Sequence, residues 1–529
     1  MKITNVAIIG GGTAGWLAAN HLGLALTDSP VNITLIESPN IPIIGVGEGT
    51  VPAIRQTLQR FGISETALFR QCDATFKQSI KFQNWLDKSR HGEENFYHHL
   101  FDAPNRFDEQ ATARWQQYAS TSECAPYAQT VAPQFAACES FKAPKTITTA
   151  EYESVCGYAY HLNAAKFALL LANNAKDKFN VKHIKANVLD ATLTQDGAIA
   201  SLYLDNKGEQ TFDFYIDCSG FESVLHAKKL HSEFVDKSHQ LFVNQAIVAQ
   251  VPTDKLRTIP PFTLATAHQA GWIWDIALPE RRGVGLVYCD KYMSTEAATQ
   301  KMMRYLERTA QGQSLGDITL RHIPMQVGYR KECWNKNCVA LGLAQGFLEP
   351  IEATSILLTD FAADYLAKRF PKHQDDIPML ATRFNRTMTY AWERVVDFAK
   401  LHYCLSDRID SPFWVDNRRR DSIPSSLQQK LNLWQTTAPI TDDFFSRFEV
   451  FNLDNYLYVL HGMKFPVPKA SLAQPQAQTS TATDKQKALN TQQDEFVNRI
   501  NTLSQQMISD LPDHRALIEK ISQYGLQKI

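Results

Sequence analysis

The sequence predicts an α/β protein built on a Rossmann-type dinucleotide-binding module, and three observations predict it. The apolar run Asn5-Val-Ala-Ile-Ile reads as a buried parallel strand. Gly10-Gly11-Gly12-Thr13-Ala14-Gly15 follows at once and fits G-x-G-x-x-G. A second strand, Val31–Ile36, ends in Glu37, 22 residues after Gly15, where an acidic residue meets a ribose in such modules.

Each part of the fingerprint has a physical task. Gly10 permits the tight turn, Gly12 lets the backbone approach a pyrophosphate, and Gly15 lets the helix pack on the strand. Thr13 and Ala14 open a helical pattern that runs through Trp16, Leu17, Ala18, His21 and Leu22. Its N-terminus offers N–H groups and a positive dipole end to phosphate. Glu37 accepts hydrogen bonds from ribose hydroxyls, which argues for an unphosphorylated ribose, in FAD or NAD. FAD is favoured. Long insertions interrupt the module, the late strand–loop–helix Val339–Ile356 returns as a second flavin-contacting segment would, and no second G-x-G-x-x-G occurs. The expected fold is an FAD-binding α/β module of the glutathione-reductase or hydroxybenzoate-hydroxylase type, with an antiparallel sheet and a mostly helical substrate module.

The remaining elements follow in order. Residues 60–150 are irregular and rich in aromatic and polar side chains, and read as an inserted substrate region rather than sheet. A helix is expected over Leu162–Lys176 and a strand over Val181–Val188. Turns fall at Gly197 and at Asn206–Gly208, and strand Phe212–Asp217 leads into Cys218-Ser-Gly-Phe221. Alternation at Thr263–Thr266, Trp272–Ile276 and Gly285–Tyr288 predicts an antiparallel sheet. A strand Cys338–Leu343, a helix near Thr354–Ala367 and long helical patterns to about Asp407 come next. From Pro466 to about Gln493 the chain turns to Pro, Ala, Gln, Ser and Thr, a linker or disordered loop. Phe496, Ile500, Leu503 and Met507 restore helical spacing, the mark of a docked C-terminal helix. Residues 1–60 and 155–365 thus form a discontinuous FAD module, 61–154 and 366–465 a substrate region, 466–493 a linker and 494–529 a C-terminal helical segment.

Composition removes other classes. The chain of 529 residues carries 54 Lys+Arg against 55 Asp+Glu, so its net charge of −1 sets up no field for nucleic acid. There is no run of 18 apolar residues to span a membrane and no signal-peptide pattern, so a cytoplasmic location is expected. The nine cysteines are scattered without a CxxC pair, which reads as reduced thiols without zinc spacing. His98-His99 has no evident third ligand, and no metal is expected.

Six segments occur in a telling order: Gly10–Trp16, Ile44–Pro52, Thr75-Phe76-Lys77 with Phe82 and Trp85 beyond, Asp217–Phe221, the W-x-W-x-I of Trp272–Ile276, and Phe347–Thr354. Together they resemble the flavin-dependent tryptophan halogenase family, over roughly residues 5–465. The resemblance implies a two-component enzyme. A separate flavin reductase supplies FADH2, O2 forms a C4a-hydroperoxide, and halide (bromide or chloride) attacks its distal oxygen. The resulting hypohalous acid moves through a tunnel to a lysine beside an electron-rich, indole-type aromatic.

The resemblance also assigns residues. Lys77 is the lysine, acting as an ammonium that hydrogen-bonds hypohalous acid or as an amine that forms a haloamine; both routes stay open. Glu352 is the carboxylate that stabilises the arenium intermediate or orients the oxidant and accepts the ring proton, and nearby Glu349 reads as structural. Thr354 and Ser355 offer backbone N–H groups to halide at a helix N-terminus. Val188, Leu343 and Ile356 join Gly10, Gly12, Thr13, Ala14, Gly15 and Glu37 around the flavin. Trp272 and Trp274 stand between flavin and substrate and suppress direct oxygen transfer by bulk. His98, Phe101 and Tyr456 belong to the substrate set.

The sequence departs from the family at named places. Ala277 stands where W-x-W-x-I is followed by proline, and Glu352-Ala353-Thr354-Ser355 stands where many members have Glu-Ser-Thr-Gly. If the halide site needs a glycine conformation at position 355, bromide is favoured over chloride. Asn455-Tyr456-Leu457-Tyr458 replaces a Tyr-Tyr pair, and no acid follows in His461–Lys469. A pocket for a zwitterion keeps polar partners, so free tryptophan is disfavoured and an indole without the amino-acid head fits better. Two alternatives stand beside this reading. A flavin-dependent aromatic monooxygenase shares the FAD half but leaves Trp272, Trp274 and Lys77 unexplained. A catalytically degenerate flavin-binding regulator draws on Ala353 and Ser355 but conflicts with the retained Lys77 and Glu352. A homodimer is one option for assembly.

Overall fold

The computed structural model describes residues 1–41, 48–119, 125–310, 315, 318–468 and 482–528. Residues 44–47 of the segment Ile44–Pro52, Cys124, and most of the 466–481 stretch lie outside them.

The first apolar run forms strand Asn5–Ile9 at the centre of a six-stranded sheet. It pairs in parallel with Asn32–Glu37 on one side and Phe214–Asp217 on the other. Lys182–Lys185 and Cys338–Ala340 extend the parallel sheet, and the short strand Trp334–Asn335 closes it antiparallel. Its central strands are largely apolar because both faces are covered, while the edge strand Lys182–Lys185 is polar and partly exposed. Val6, Ile8 and Leu35 pack with Trp16 and Leu17 of helix Thr13–Ala25, while Ala7, Ile9 and Ile36 pack with Ala191, Ile199 and Leu202 of a small three-stranded antiparallel sheet. Helix Thr13–Ala25 lies against helices Ala164–Phe179 and Thr354–Lys368, so the late chain returns to the first helix.

The second sheet has seven strands in the order Arg321–Pro324, Gln245–Pro252, Arg281–Tyr288, Gly271–Ala277, Phe262–His268, Ser79–Gln83 and Phe96–Leu100. All its pairs are antiparallel except Phe262–His268 with Ser79–Gln83. This corrects the reading of residues 60–150 as free of sheet. Thr75–Lys77, Ser79–Gln83 and Phe96–Leu100 are strands, and two of them complete the second sheet. The signal was masked because Lys77, Gln78, Ser79, His98 and His99 are buried polar residues that break the apolar alternation.

Two further expectations change. Val181–Val188 is not one strand: Lys182–Lys185 ends the parallel sheet, and Val188–Leu193 begins the small antiparallel one. The linker reading fails from residue 482, where helix Ala482–Asp510 begins. That helix buries Phe496, Ile500 and Met507, as the spacing predicts, and a second helix, His514–Tyr524, follows. His514 is fully buried and ties this end of the chain to the strand that carries Lys77. Its Nε2 accepts from the Phe76 N–H at 3.0 Å, and its Nδ1 donates to the Ile259 carbonyl at 2.8 Å. No helix among the described residues is long and apolar enough to cross a membrane. The eight described cysteines are free and buried, and no metal-binding group of His, Cys, Asp and Glu occurs among the described residues.

Candidate active site

One cavity of about 420 Å³ joins most of the residues the sequence singled out; Gly15, His98, Phe101, Thr354 and Tyr456 do not line it. Gly10, Gly12, Thr13, Ala14, Glu37 and Val188 line it, as do Leu343 and Ile356 from the returning segment. Trp272, Trp274, Lys77, Glu352 and Ser355 line the same cavity. The nucleotide end fits an FAD. A Cβ placed on Gly12 would meet no atom within 4 Å, so the helix N-terminus is open to a ligand's phosphates. Glu37 sits at the end of its strand, with Oε2 2.7 Å from His183 Nε2.

Gly15 does not line the cavity; it is a packing residue. A Cβ there would lie 1.9 Å from the Gly10 carbonyl oxygen. A Gly15→Val protein is therefore expected to lose about 1–3 kcal/mol or more of stability through overpacking and to bind FAD poorly. Thermal unfolding and flavin titration check this; wild-type behaviour in both would refute it.

Strand Gly271–Ala277 presents Trp272 and Trp274 to the same side, because strand side chains alternate with period two. Their ring centroids are 6.1 Å apart. Gly285 lies opposite Trp274 on the next strand, and a Cβ there would stand 2.0 Å from the Trp274 ring. Trp274 is thus seated in a space that only glycine leaves. Ala277, the departure from proline, accepts at its carbonyl a 2.9 Å hydrogen bond from Thr75 Oγ1, two residues before Lys77.

Lys77 is fully buried on strand Thr75–Lys77. Its Nζ donates to the Thr50 carbonyl at 3.1 Å and lies 5.3 Å from the centre of the Phe101 ring, within reach of a cation–π attraction. Burial lowers its pKa to about 8, against the opposing pull of the Glu352 charge. Glu48 also lines the cavity, and burial raises its carboxyl to about 7.

Glu352 lies at a sharp backbone turn. It and Ala353 have φ of 62° and 55°, in the left-handed region, immediately before helix Thr354–Lys368. Its carboxylate is held by two histidines. His99 Nδ1 donates to it at 2.8 and 2.9 Å, and His402 Nε2 lies 3.1 Å from Oε1. Each histidine is oriented from behind: the Asn455 amide donates to His99 Nε2 at 3.0 Å, and the Tyr97 hydroxyl donates to His402 Nδ1 at 2.7 Å. The tautomer so fixed on His99 points an N–H at Glu352, while His402 Nε2 stands beside the carboxylate without completing a hydrogen bond. Burial works to raise this carboxyl's pKa, but the two histidines overcome it and hold the group well below the usual carboxylate range.

Three expectations change here. His98 is not on the cavity side; its Nδ1 lies 2.9 Å from Ser79 Oγ and its Nε2 3.0 Å from Glu139. Its neighbour His99 faces Glu352 instead. Period two already held the signal, since Phe101 shares the face of His99 and not of His98. Tyr456 is buried among Phe398, Trp434 and Phe444 and does not line the cavity. The helix Leu453–Gly462 turns Asn455 toward the site, so Tyr456 points elsewhere. Finally, position 355 needs no glycine conformation. Ser355 is within helix Thr354–Lys368, and the left-handed residues are Glu352 and Ala353. Thr354 lines a small adjoining void of about 10 Å³, shared with Ser355, about the space one water-sized ligand needs. His402, Tyr97 and Asn455 carried no local signal, because they lie 50 to 356 residues away in the chain from their partners.

Fold and cavity together define a flavin-dependent enzyme in which an internal lysine and a carboxylate share one cavity with a nucleotide fingerprint. The chain matches the tryptophan halogenase family model over residues 5–478, and it belongs to that family. It is an enzyme, a flavin-dependent halogenase. It is 32% identical over 496 residues to the tryptophan 6-halogenase SttH of Streptomyces toxytricini, covering 89% of this chain and 92% of that one. A tryptophan halogenase from Shewanella frigidimarina superimposes with a TM-score of 0.90 at 35% identity, covering 100% of this chain and 99% of that one. BrvH, a flavin-dependent halogenase from Brevundimonas sp. BAL3, gives 0.83 at 29% identity, with 98% and 99% covered.

Proposed function

We propose that this enzyme halogenates an indole-type or other electron-rich aromatic without an amino-acid head, and brominates it more readily than it chlorinates it. The observation that carries the reading is Lys77 and Glu352 lining the cavity that the nucleotide fingerprint and the two tryptophans also line. When bound as FADH2 from a separate reductase, the flavin supplies with O2 the two-electron oxidation that converts halide to hypohalous acid. The residues that would hold it are Gly10, Gly12, Thr13 and Ala14 at the phosphates, Glu37 at the ribose, and Val188, Leu343 and Ile356 along its length. Thr354 and Ser355, at the N-terminus of their helix, would offer N–H groups to the halide.

Lys77 acts as the ammonium. With a pKa of about 8 it is mostly protonated at pH 7, so it donates a hydrogen bond to the oxidant's oxygen and leaves the halogen electrophilic. Glu352, charged and buried, stabilises the cationic ring and accepts its proton. Trp272 and Trp274 keep the organic substrate from the flavin. The substrate assignment rests on what the polar groups near the pocket already do. Leu457 is apolar, and the Tyr458 hydroxyl donates to the Asp102 carbonyl at 2.8 Å. Neither is free to hold a zwitterion. Bromide is favoured because it is the more easily oxidised ion, not because of strain at Ser355.

The test combines the protein with FAD, a flavin reductase, NADH, a panel of indoles including free tryptophan, and bromide or chloride, read by mass spectrometry. A halogen isotope doublet on a simple indole, stronger with bromide, is expected. A product heavier by one oxygen and without halogen would favour a monooxygenase, and equal or better chlorination would remove the halide preference. With a neutral indole, turnover is expected to fall as pH rises through about 8, since the lysine then loses its proton. A rate that rises through the same range would assign the haloamine route.

A further inference from the structure

We infer that Glu349 is a positioning residue that fixes the Trp272 indole in the wall between flavin and substrate, with Tyr403 as its second tether. The inference rests on the barrier role proposed above for Trp272. It concerns a carboxyl that the sequence assigned to structure alone.

Glu349 is 0% exposed. Its Oε2 accepts from the Trp272 indole N–H at 2.6 Å and from the Tyr403 hydroxyl. Its Oε1 is buried without a hydrogen-bond partner among the described residues. Lys400 is a cation whose charge acts on it, but the Lys400 Nζ is bonded to Asn417 Oδ1 at 2.7 Å. Burying a carboxyl with half its acceptor capacity unused is costly. A leucine would fill the volume without that cost, so the retained carboxyl needs a task beyond packing.

The task follows from the donor inventory of tryptophan, whose only polar group is the indole N–H. Once Glu349 takes it, the ring is fixed in rotation and Trp272 offers the cavity no donor. Packing alone does not fix Trp272 in this way. Its ring neighbours are Trp274 at 6.1 Å and Trp85 at 6.4 Å, while Trp85 in turn lies 5.3 Å from Tyr403. Trp272, Glu349, Tyr403 and Trp85 thus close a ring of contacts with Glu349 as its polar link. Trp274 is held differently, by the space over Gly285. Glu349 precedes Glu352 by three residues, so one short segment supplies both the tether of the wall and the carboxylate of the site.

The experiment compares Glu349→Leu, Glu349→Gln and Tyr403→Phe with wild type and with Trp272→Phe. Flavin affinity and thermal unfolding report folding. The readout is hydrogen peroxide released per halogenated indole formed, because a loosened wall admits water and lets oxidising equivalents escape. Glu349→Leu is expected to raise that ratio about tenfold, the factor by which losing one net hydrogen bond shifts an equilibrium between ring positions. Glu349→Gln keeps an acceptor and is expected to stay near wild type. Tyr403→Phe is expected to give a smaller rise, and it carries the test if Glu349→Leu does not fold. An unchanged ratio in folded, flavin-binding Glu349→Leu and Tyr403→Phe, with activities falling only in step with stability, would overturn the inference. Absence of halogenated product in wild type would instead overturn the proposed function, so the two failures are distinct.

Discussion

Lys77→Ala is expected to abolish halogenation, lowering turnover by about a thousandfold, the scale at which positioned proton donors act, while flavin binding is retained. Lys77 is the cation that the cavity presents beside Glu352, and it is seated by the Thr50 carbonyl and the Phe101 ring. Alanine removes the donor and leaves a space lined by Phe101, Thr50 and Glu352. The oxidant is still formed, so a small-molecule halogen acceptor added to the solution should be halogenated by leakage although the indole is not. Mass spectrometry of both products checks this. Indole halogenation within tenfold of wild type would remove Lys77 from the chemistry.

Glu352→Gln is expected to lower turnover by about a hundredfold or more, with the substrate KM little changed. The substitution keeps the shape and removes the charge. It also places an amide N–H₂ beside the N–H that His99 points at the carboxylate, so one polar contact becomes a clash of donors. Single-turnover kinetics with pre-reduced flavin isolates this step from reductase supply. A variant with wild-type turnover would transfer the role of proton acceptor to another carboxyl, of which Glu48 lines the same cavity.

Much of the site was legible in the chain. The fingerprint at Gly10–Gly15, Glu37, Trp272 and Trp274 could be singled out because each sits in a local pattern, a strand, a glycine turn or an alternation, and Lys77 and Glu352 because the ordered set of motifs resembles a family. What was not legible has a common cause. His99 rather than His98 was a matter of strand parity, readable in principle but hidden until the strand itself was recognised. The strand was hard to recognise because its buried face is polar. Tyr456 read as a pocket residue because its neighbours in sequence resemble a family segment, yet the phase of helix Leu453–Gly462 points Asn455 to His99 and buries Tyr456 in the core.

The halide argument shows the same limit. The sequence contrast at Ser355 suggested a lost glycine conformation, but a residue type does not reveal which position of a turn takes positive φ. The turn takes it at Glu352 and Ala353, where an alanine and a glutamate bear a conformation more usual for glycine. The Pro466–Gln493 composition likewise marked a change of character without marking where helix begins, because polar helices of low hydrophobicity share their composition with linkers.

By itself the sequence marked the nucleotide module, its acidic residue and the tryptophan pair, since local periodicity and short motifs fix which face a residue takes within its own element, and it marked the lysine and the glutamate through an ordered family resemblance. Only the tertiary structure decided what each of these residues faces. It brought Lys77, Glu352 and the fingerprint to one cavity, set His99 and His402 on either side of the carboxylate, placed Glu349 behind Trp272, and pinned the end of the chain to Phe76 through His514. Those partners lie from tens to hundreds of residues apart, and their meeting is set by how sheets and helices stack, which no local pattern of apolar and polar residues records.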